Sequence, residues 1–190
     1  MNWSDLEPDI KPSELHTAFH ELPCNIVVSL LHNLICGTRI YVTQDCNNAV
    51  MAHVESDCRE VGGLLVGRVW SESVCTKQNL GPLIFIVKSV QSIDYRNSAV
   101  SLEMGSDIWN LANEQLGNNE MVVGWYHSHP NLGAFFSGTD RRTQNAFFNH
   151  SYSTGWVIDP INNEYKVFCG MHSEEYPSLI QVIPHGLALA

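Results

Sequence analysis

A chain of 190 residues, 44% of them hydrophobic, is long enough to bury one core and too short for two full domains. Its 20 acidic against 10 basic side chains give a formal net charge of -10, which argues against a nucleic-acid binder, because phosphate contacts need clustered Lys and Arg. The most apolar early run, residues 22–36, is broken by Asn25, His32 and Asn33 and is too short to span a bilayer, so no membrane protein is expected.

Up to residue 37 the chain reads as an irregular arm with Pro8, Pro12 and Pro23, leading into a core helix or helix pair over 22–36. The cysteines (Cys24, Cys36, Cys46, Cys58, Cys75, Cys169) include no Cys-x-x-Cys pair, and the first nine residues are acidic rather than basic. A cytoplasmic protein with reduced thiols is the expectation. Residues 38–43 alternate around Ile40 and Val42 as a strand, and Val50, Met51 and Val54 fall at helical spacing within 47–57. Glu60 heads the β-type run Glu-Val-Gly-Gly-Leu-Leu-Val-Gly, residues 83–90 form a second such run, and a short polar turn over 70–82 joins them.

Ile108, Leu111, Ala112 and Gln115 space a helix over 107–116, and residues 121–126 follow Gly117-Asn118-Asn119 as an apolar strand. A loop over 130–136 leads into a helix over 139–149. Trp156-Val157-Ile158 and Tyr165-Lys166-Val167-Phe168 flank Pro160-Ile161-Asn162-Asn163 as two strands about a turn. Alternating strands and helices predict an α/β or mixed α+β layer architecture, with Trp109, Trp125 and Trp156 as core aromatics.

Chemistry concentrates at His127-Ser128-His129, at the end of an apolar strand, where residues two apart point to one side. A catalytic zinc takes three protein ligands and keeps one position open, so a third ligand is needed. Asp140 is the candidate, because the loop before it contains Pro130 and Gly133 and can fold back over the strand end. Glu60 is the candidate proton carrier: it heads an otherwise apolar strand, where an unused carboxylate is costly, and Gly62, Gly63 and Gly67 beside it let another backbone approach.

Plainer readings exist for each residue. Ser137-Gly138-Thr139-Asp140 is also a capping box, in which Asp140 folds back on its helix start and binds no metal. Glu60 by itself reads as a strand-edge acid, and a His-x-His pair is by itself a weak zinc signal. Their joint occurrence favours the metal.

These residues fill every position of a known signature: the sequence resembles the JAMM, or MPN-plus, metalloproteases, whose pattern is Glu, then His-[Ser/Thr]-His, seven residues, Ser, two residues, Asp. Gly124-Trp125-Tyr126-His127-Ser128-His129-Pro130 and Val157-Ile158-Asp159-Pro160 extend the likeness, which runs over residues 38–170 and leaves 1–37 as arm and helix and 171–190 as a tail. The resemblance implies a single domain with a curved, mixed β-sheet flanked by helices. It implies zinc on His127, His129 and Asp140, Glu60 acting on the zinc-bound water, and Ser137 stabilising the oxyanion.

The substrate it implies is the isopeptide or peptide bond after the C-terminal glycine of ubiquitin or a ubiquitin-like protein. The tail would lie as an added strand in a channel bordered by Gly62, Gly63 and Leu64 and by Gly133, Phe135 and Phe136. Members that select one ubiquitin-chain linkage carry insertions beside the site; residues 70–82 and 150–154 are short here, so linkage selectivity is not expected. The compact form also resembles bacterial members. Some relatives carry a structural zinc, for which His150, Cys169 and His172 would be the residues here, but three such residues without a fourth more often mean a surface His and a buried Cys. Two other readings stay open: a non-catalytic scaffold on the same fold, and a peptidase processing a sulfur-carrier protein or another small protein tail.

Overall fold

The computed structural model describes residues 11–32, 39–71, 81–92, 106–177 and 180–184. Most of the polar turn expected over 70–82, together with Cys36 and Cys75, lies outside the described residues. Elements follow in the order β1 (Ser13–Glu14), a 3-10 turn (Leu15–Thr17), α1 (Ala18–Glu21), α2 (Cys24–His32), β2 (Arg39–Thr43), α3 (Gln44–Glu55), β3 (Gly62–Ser71), β4 (Leu83–Gln91), α4 (Ser106–Glu114), β5 (Met121–Ser128), α5 (Gly138–Phe147), β6 (Thr154–Asp159), β7 (Glu164–Cys169), β8 (Glu174–Glu175) and β9 (Gln181–Ile183).

One mixed sheet gathers the described strands in the order β8-β7-β6-β5-β3-β4-β2-β9, with β1 pairing to β3. β3 runs antiparallel to both β4 and β5, whereas β5 and β6 are parallel and joined by a crossover through α5. That crossover returns the chain over the end of β5. Register shifts at Leu65/Val66 and Val66/Gly67 put bulges into β3, and bulges bend a strand.

Side-chain alternation along these strands sorts the core onto the two faces of the sheet. On one face Val61, Leu65, Tyr126, Trp156 and Ile158 pack with Cys46, Val50 and Val54 of α3. The opposite face carries Leu64, Val66, Trp125 and Val157 against Ile108 and Ala112 of α4 and against Phe136 and Phe148. Further along that face Tyr41, Trp70, Leu83 and Phe85 meet Ala18 of α1, Leu22 just after it and Ile26 of α2. Removing each such Val, Leu or Ile side chain from water contributes about 1.5–3 kcal/mol, so helices on both faces hold the sheet.

The expected alternation of strands and helices is present, with differences at the ends of elements. α3 starts at Gln44, before the first apolar position of its pattern, because Thr43 caps it: Thr43 Oγ1 accepts from the Cys46 N–H at 3.3 Å. β5 runs past its apolar stretch to Ser128 because the polar residues at its end are buried. Residues 13–14 and 181–183 pair with β3 and β2, and 174–175 with β7. Trp125 and Trp156 are buried and Trp109 stacks on Phe148 at 5.6 Å. Among the described residues no helix is long and apolar enough to cross a membrane.

Candidate metal centre

The end of β5 is built by its register with β3, which sets Gly62 opposite His127 and Gly63 opposite Tyr126. Between the two imidazoles, Ser128 points to the other face of the sheet. Its Oγ accepts from the Val61 N–H at 2.9 Å and its N–H donates to the Val61 carbonyl at 2.8 Å, so the chain just after Glu60 is tied to the centre of the His-Ser-His segment. The His129 N–H donates to the Ile158 carbonyl of β6 at 2.8 Å. His127 and His129 thus share one face beside a pinned Glu60.

The helix after the loop supplies the carboxylate. Ser137 caps α5: its Oγ accepts from the Asp140 N–H at 3.2 Å, while Asp140 Oδ2 accepts from the Ser137 N–H at 2.6 Å. That is the capping box expected of Ser-x-x-Asp. Yet Asp140 also faces the imidazoles, with Oδ1 3.3 Å from His127 Nε2 and Oδ2 3.8 Å from His129 Nε2. The capping and metal readings are compatible, because the same carboxylate is placed for both.

His127 and His129 bring their Nε2 atoms within 3.2 Å of one another. Zinc–ligand bonds of about 2.0–2.2 Å in tetrahedral geometry set neighbouring donors about 3.3–3.6 Å apart, and the separations here, 3.2, 3.3 and 3.8 Å, lie within about 0.2 Å of that range. All three are buried, at 2%, 4% and 8% exposure. Two imidazoles and a carboxylate are also the donor types zinc takes, leaving one position open. Among the described residues no other group of three His, Cys, Asp or Glu side chains converges in this way. His150 instead stacks on Tyr152 at 5.0 Å.

Electrostatics divide the carboxylates. Burial works to raise Asp140, but hydrogen bonds from His127 and Ser137 outweigh it and hold the group at about 2, ionised at neutral pH. Glu60, with Oε1 3.8 Å from His129 Nε2, is pushed upward chiefly by burial and also by Asp140, against the opposing pull of His127. Burial and the neighbouring His127 lower His129, favouring the neutral ring that can bind a metal.

The residues expected to border a substrate channel separate into two groups. Phe135 is 46% exposed with its ring 4.9 Å from His129, and Gly133 sits in the same loop at φ 85. Phe136, by contrast, is only 6% exposed and stacks on Phe168 at 4.1 Å, and Leu64 is fully buried in the same cluster. Both are core side chains; the Phe136 ring lies 6.1 Å from that of His127 but is buried, so of these three only Phe135 offers an exposed wall beside the imidazoles. At Gly63 the backbone that approaches is the protein's own: a Cβ there would collide with the Val90 carbonyl and the Tyr126 ring.

Asp159 has a role that sequence reasoning missed. Fully buried, its Oδ1 accepts from the N–H groups of Asn131, Ile161 and Asn162 at 3.0–3.1 Å, and its Oδ2 from Gly133 N–H and Asn162 Nδ2 at 2.7 Å. It thereby clamps the loop after His129 to the β6–β7 turn. An acid between an apolar strand and Pro160 was the available signal, since Asp at such a turn captures backbone N–H groups. Gln144, also fully buried, bridges α5 to β5, with its Oε1 accepting from Trp125 Nε1 at 2.7 Å. No pattern marked it.

A family model described as prokaryotic homologs of the JAB domain matches residues 43–168, which contain every residue of the site. Among curated proteins, ubiquitin carboxyl-terminal hydrolase RPN11 of Saccharomyces cerevisiae is 35% identical over 82 residues, 40% of this chain and 27% of its own length. COP9 signalosome complex subunit 5 of Debaryomyces hansenii is 34% identical over 108 residues, 55% of this chain and 22% of its own. The chain therefore matches well under half the length of these relatives. A solution structure of a protein from Desulfitobacterium hafniense shares the fold with TM-score 0.54 at 21% identity, covering 76% of this chain and 92% of that one.

Proposed function

The chain belongs to the family of prokaryotic homologs of the JAB domain, and on that premise we propose that it is a zinc-dependent hydrolase of the isopeptide or peptide bond after the C-terminal glycine of a ubiquitin-like protein. The observation that carries the reading is the meeting of His127, His129 and Asp140 at 3.2–3.8 Å with Glu60 beside them. The similarity to a ubiquitin carboxyl-terminal hydrolase supports the substrate class. Residues 38–170 form the catalytic unit in this reading. A cytoplasmic setting is in keeping with the free thiols of Cys24, Cys46, Cys58 and Cys169.

His127, His129 and Asp140 would hold the ion. Zinc bound there supplies Lewis acidity, making water nucleophilic at neutral pH and polarising the scissile carbonyl. Glu60 takes the proton of the attacking water and returns it to the departing amine; its half-buried carboxyl, raised by burial, is suited to both steps. The Ser137 Oγ is fixed by the Asp140 N–H, which leaves its own proton free to donate to the developing oxyanion. One such donor is worth about 3 kcal/mol. Gly133 and Phe135 border the approach to this point, and Asp159 fixes the backbone of their loop.

The test is a panel of ubiquitin-like proteins bearing C-terminal extensions, incubated with the zinc-loaded chain with and without chelator. Chelator-sensitive cleavage after the terminal glycine is expected for at least one. A zinc-loaded, folded chain that cleaves none of the panel contradicts the hydrolase reading and favours the scaffold.

A further inference from the structure

We propose that Trp125 and Gln144 are positioning residues for the His127 imidazole, an inference that rests on the metal reading of the site. A metal-binding histidine is ordinarily oriented through its second ring nitrogen, which donates to a carboxylate or carbonyl. Among the described residues His127 lacks that support: its Nδ1 is buried and meets no hydrogen-bond partner there. What holds the ring is a flat surface. The indole of Trp125, two residues earlier on the same face of β5, stacks on it with centroids 4.6 Å apart and planes within 7°.

Trp125 is itself anchored. Its Nε1 donates to Gln144 Oε1 at 2.7 Å, and Gln144 Nε2 faces the carbonyls of Phe148, Ser153 and Gly170 at 3.1–3.3 Å. The amide is thus tied at both ends and adopts one orientation. There is no slack beside it, since a Cβ on Gly155 would meet Gln144 Oε1 at 3.0 Å and collide with the Phe136 ring. Gln144 lies one helical turn after Asp140, so the two share a face of α5. One helix therefore presents a metal-binding carboxylate to His127 and, a turn later, fixes the indole on which that imidazole rests.

A side chain needed only to fill the core would not be an amide, because burying one is costly unless every polar atom is matched. A matched polar network fixes one geometry where apolar packing tolerates several. The geometry fixed here is the plane of His127.

The test measures zinc affinity by chelator competition, and the visible spectrum of the cobalt-loaded chain, for the wild type, Trp125→Phe, Trp125→Leu and Gln144→Met, with His127→Ala as the blank and thermal unfolding run in parallel. Trp125→Leu, which removes the flat face, is expected to weaken zinc binding about 10–100-fold, the usual cost of losing a ligand's orienting partner. Trp125→Phe keeps a ring against His127 and is expected to retain most of the affinity. Gln144→Met frees the indole and is expected to shift the cobalt bands. A merely structural role would lower the melting temperature in these variants and leave the zinc constant and cobalt spectrum of the folded proteins unchanged, and that result overturns the proposal. Should Trp125→Leu fail to fold, a wild-type cobalt spectrum in Gln144→Met overturns it equally. A wild-type chain that binds neither metal overturns the site reading and this inference with it.

Discussion

In the proposed reading Asp140 serves a helix and a metal with one carboxylate, and substitution can separate the two duties. Asp140→Asn keeps an oxygen to accept from the Ser137 N–H, so unfolding of the metal-free protein should change by no more than the cap's worth, about 1 kcal/mol. Zinc affinity should fall at least tenfold, measured on the same sample. Glu60 has the opposite profile: Glu60→Gln should keep zinc and fold while turnover drops about 10²–10⁴-fold, since only the proton relay is lost. Retained cleavage by that variant would refute the role given to Glu60. His-x-His, Ser-x-x-Asp and an acid before an apolar run are visible in the chain because each is a short local pattern. Gln144 was not legible, because its importance comes from Trp125, 19 residues away, and Asp159 showed only its local turn, since its grip on Asn131 spans 28 residues.

At the scale of elements, the strands and helices with sustained periodicity were readable, and those shaped by a neighbour were not. β1, β8 and β9 span two or three residues, too few for a period of two to register, and exist because an adjacent strand offers a ladder. Asp159 makes a testable joint between such elements. Burial opposes its ionisation, but the donors from Gly133, Asn162 and Asn131 prevail and hold it below the usual carboxylate range. A carboxylate depressed in the folded state stabilises fully above its unfolded pKa, about 3.9, and loses that contribution as pH falls toward its folded value. The melting-temperature gap between wild type and Asp159→Asn should therefore be widest above about pH 4 and narrow in more acid solution. A gap that is constant with pH would mean the clamp does not depend on ionisation.

For the molecule as a whole, the N-terminal helices belong to the same hydrophobic body as the sheet, with Ile26 buried against Trp70 and Phe85 in one cluster. Ile26→Ala should cost about 2–5 kcal/mol in denaturant unfolding, the range for a buried Ile cut to Ala. A loss under 1 kcal/mol would show that this packing is not held in solution. The α/β layering could be read from the order of elements, whereas the parallel pairing of β2 with β4 and β9 could not, since nothing local in residues 39–43 names its partners.

The central claim is that two imidazoles at the end of β5, His127 within it and His129 just past it, and one carboxylate of α5 hold a single zinc ion. It is tested most directly by titrating zinc into the metal-free chain and its Asp140→Ala variant, reading bound metal and melting temperature together. One zinc per wild-type chain is expected, with about 2.7 kcal/mol of added stability at a hundredfold excess over the dissociation constant, and neither effect in the variant. A folded wild-type chain that takes up no zinc, or an Asp140→Ala chain that binds it equally well, would contradict the account.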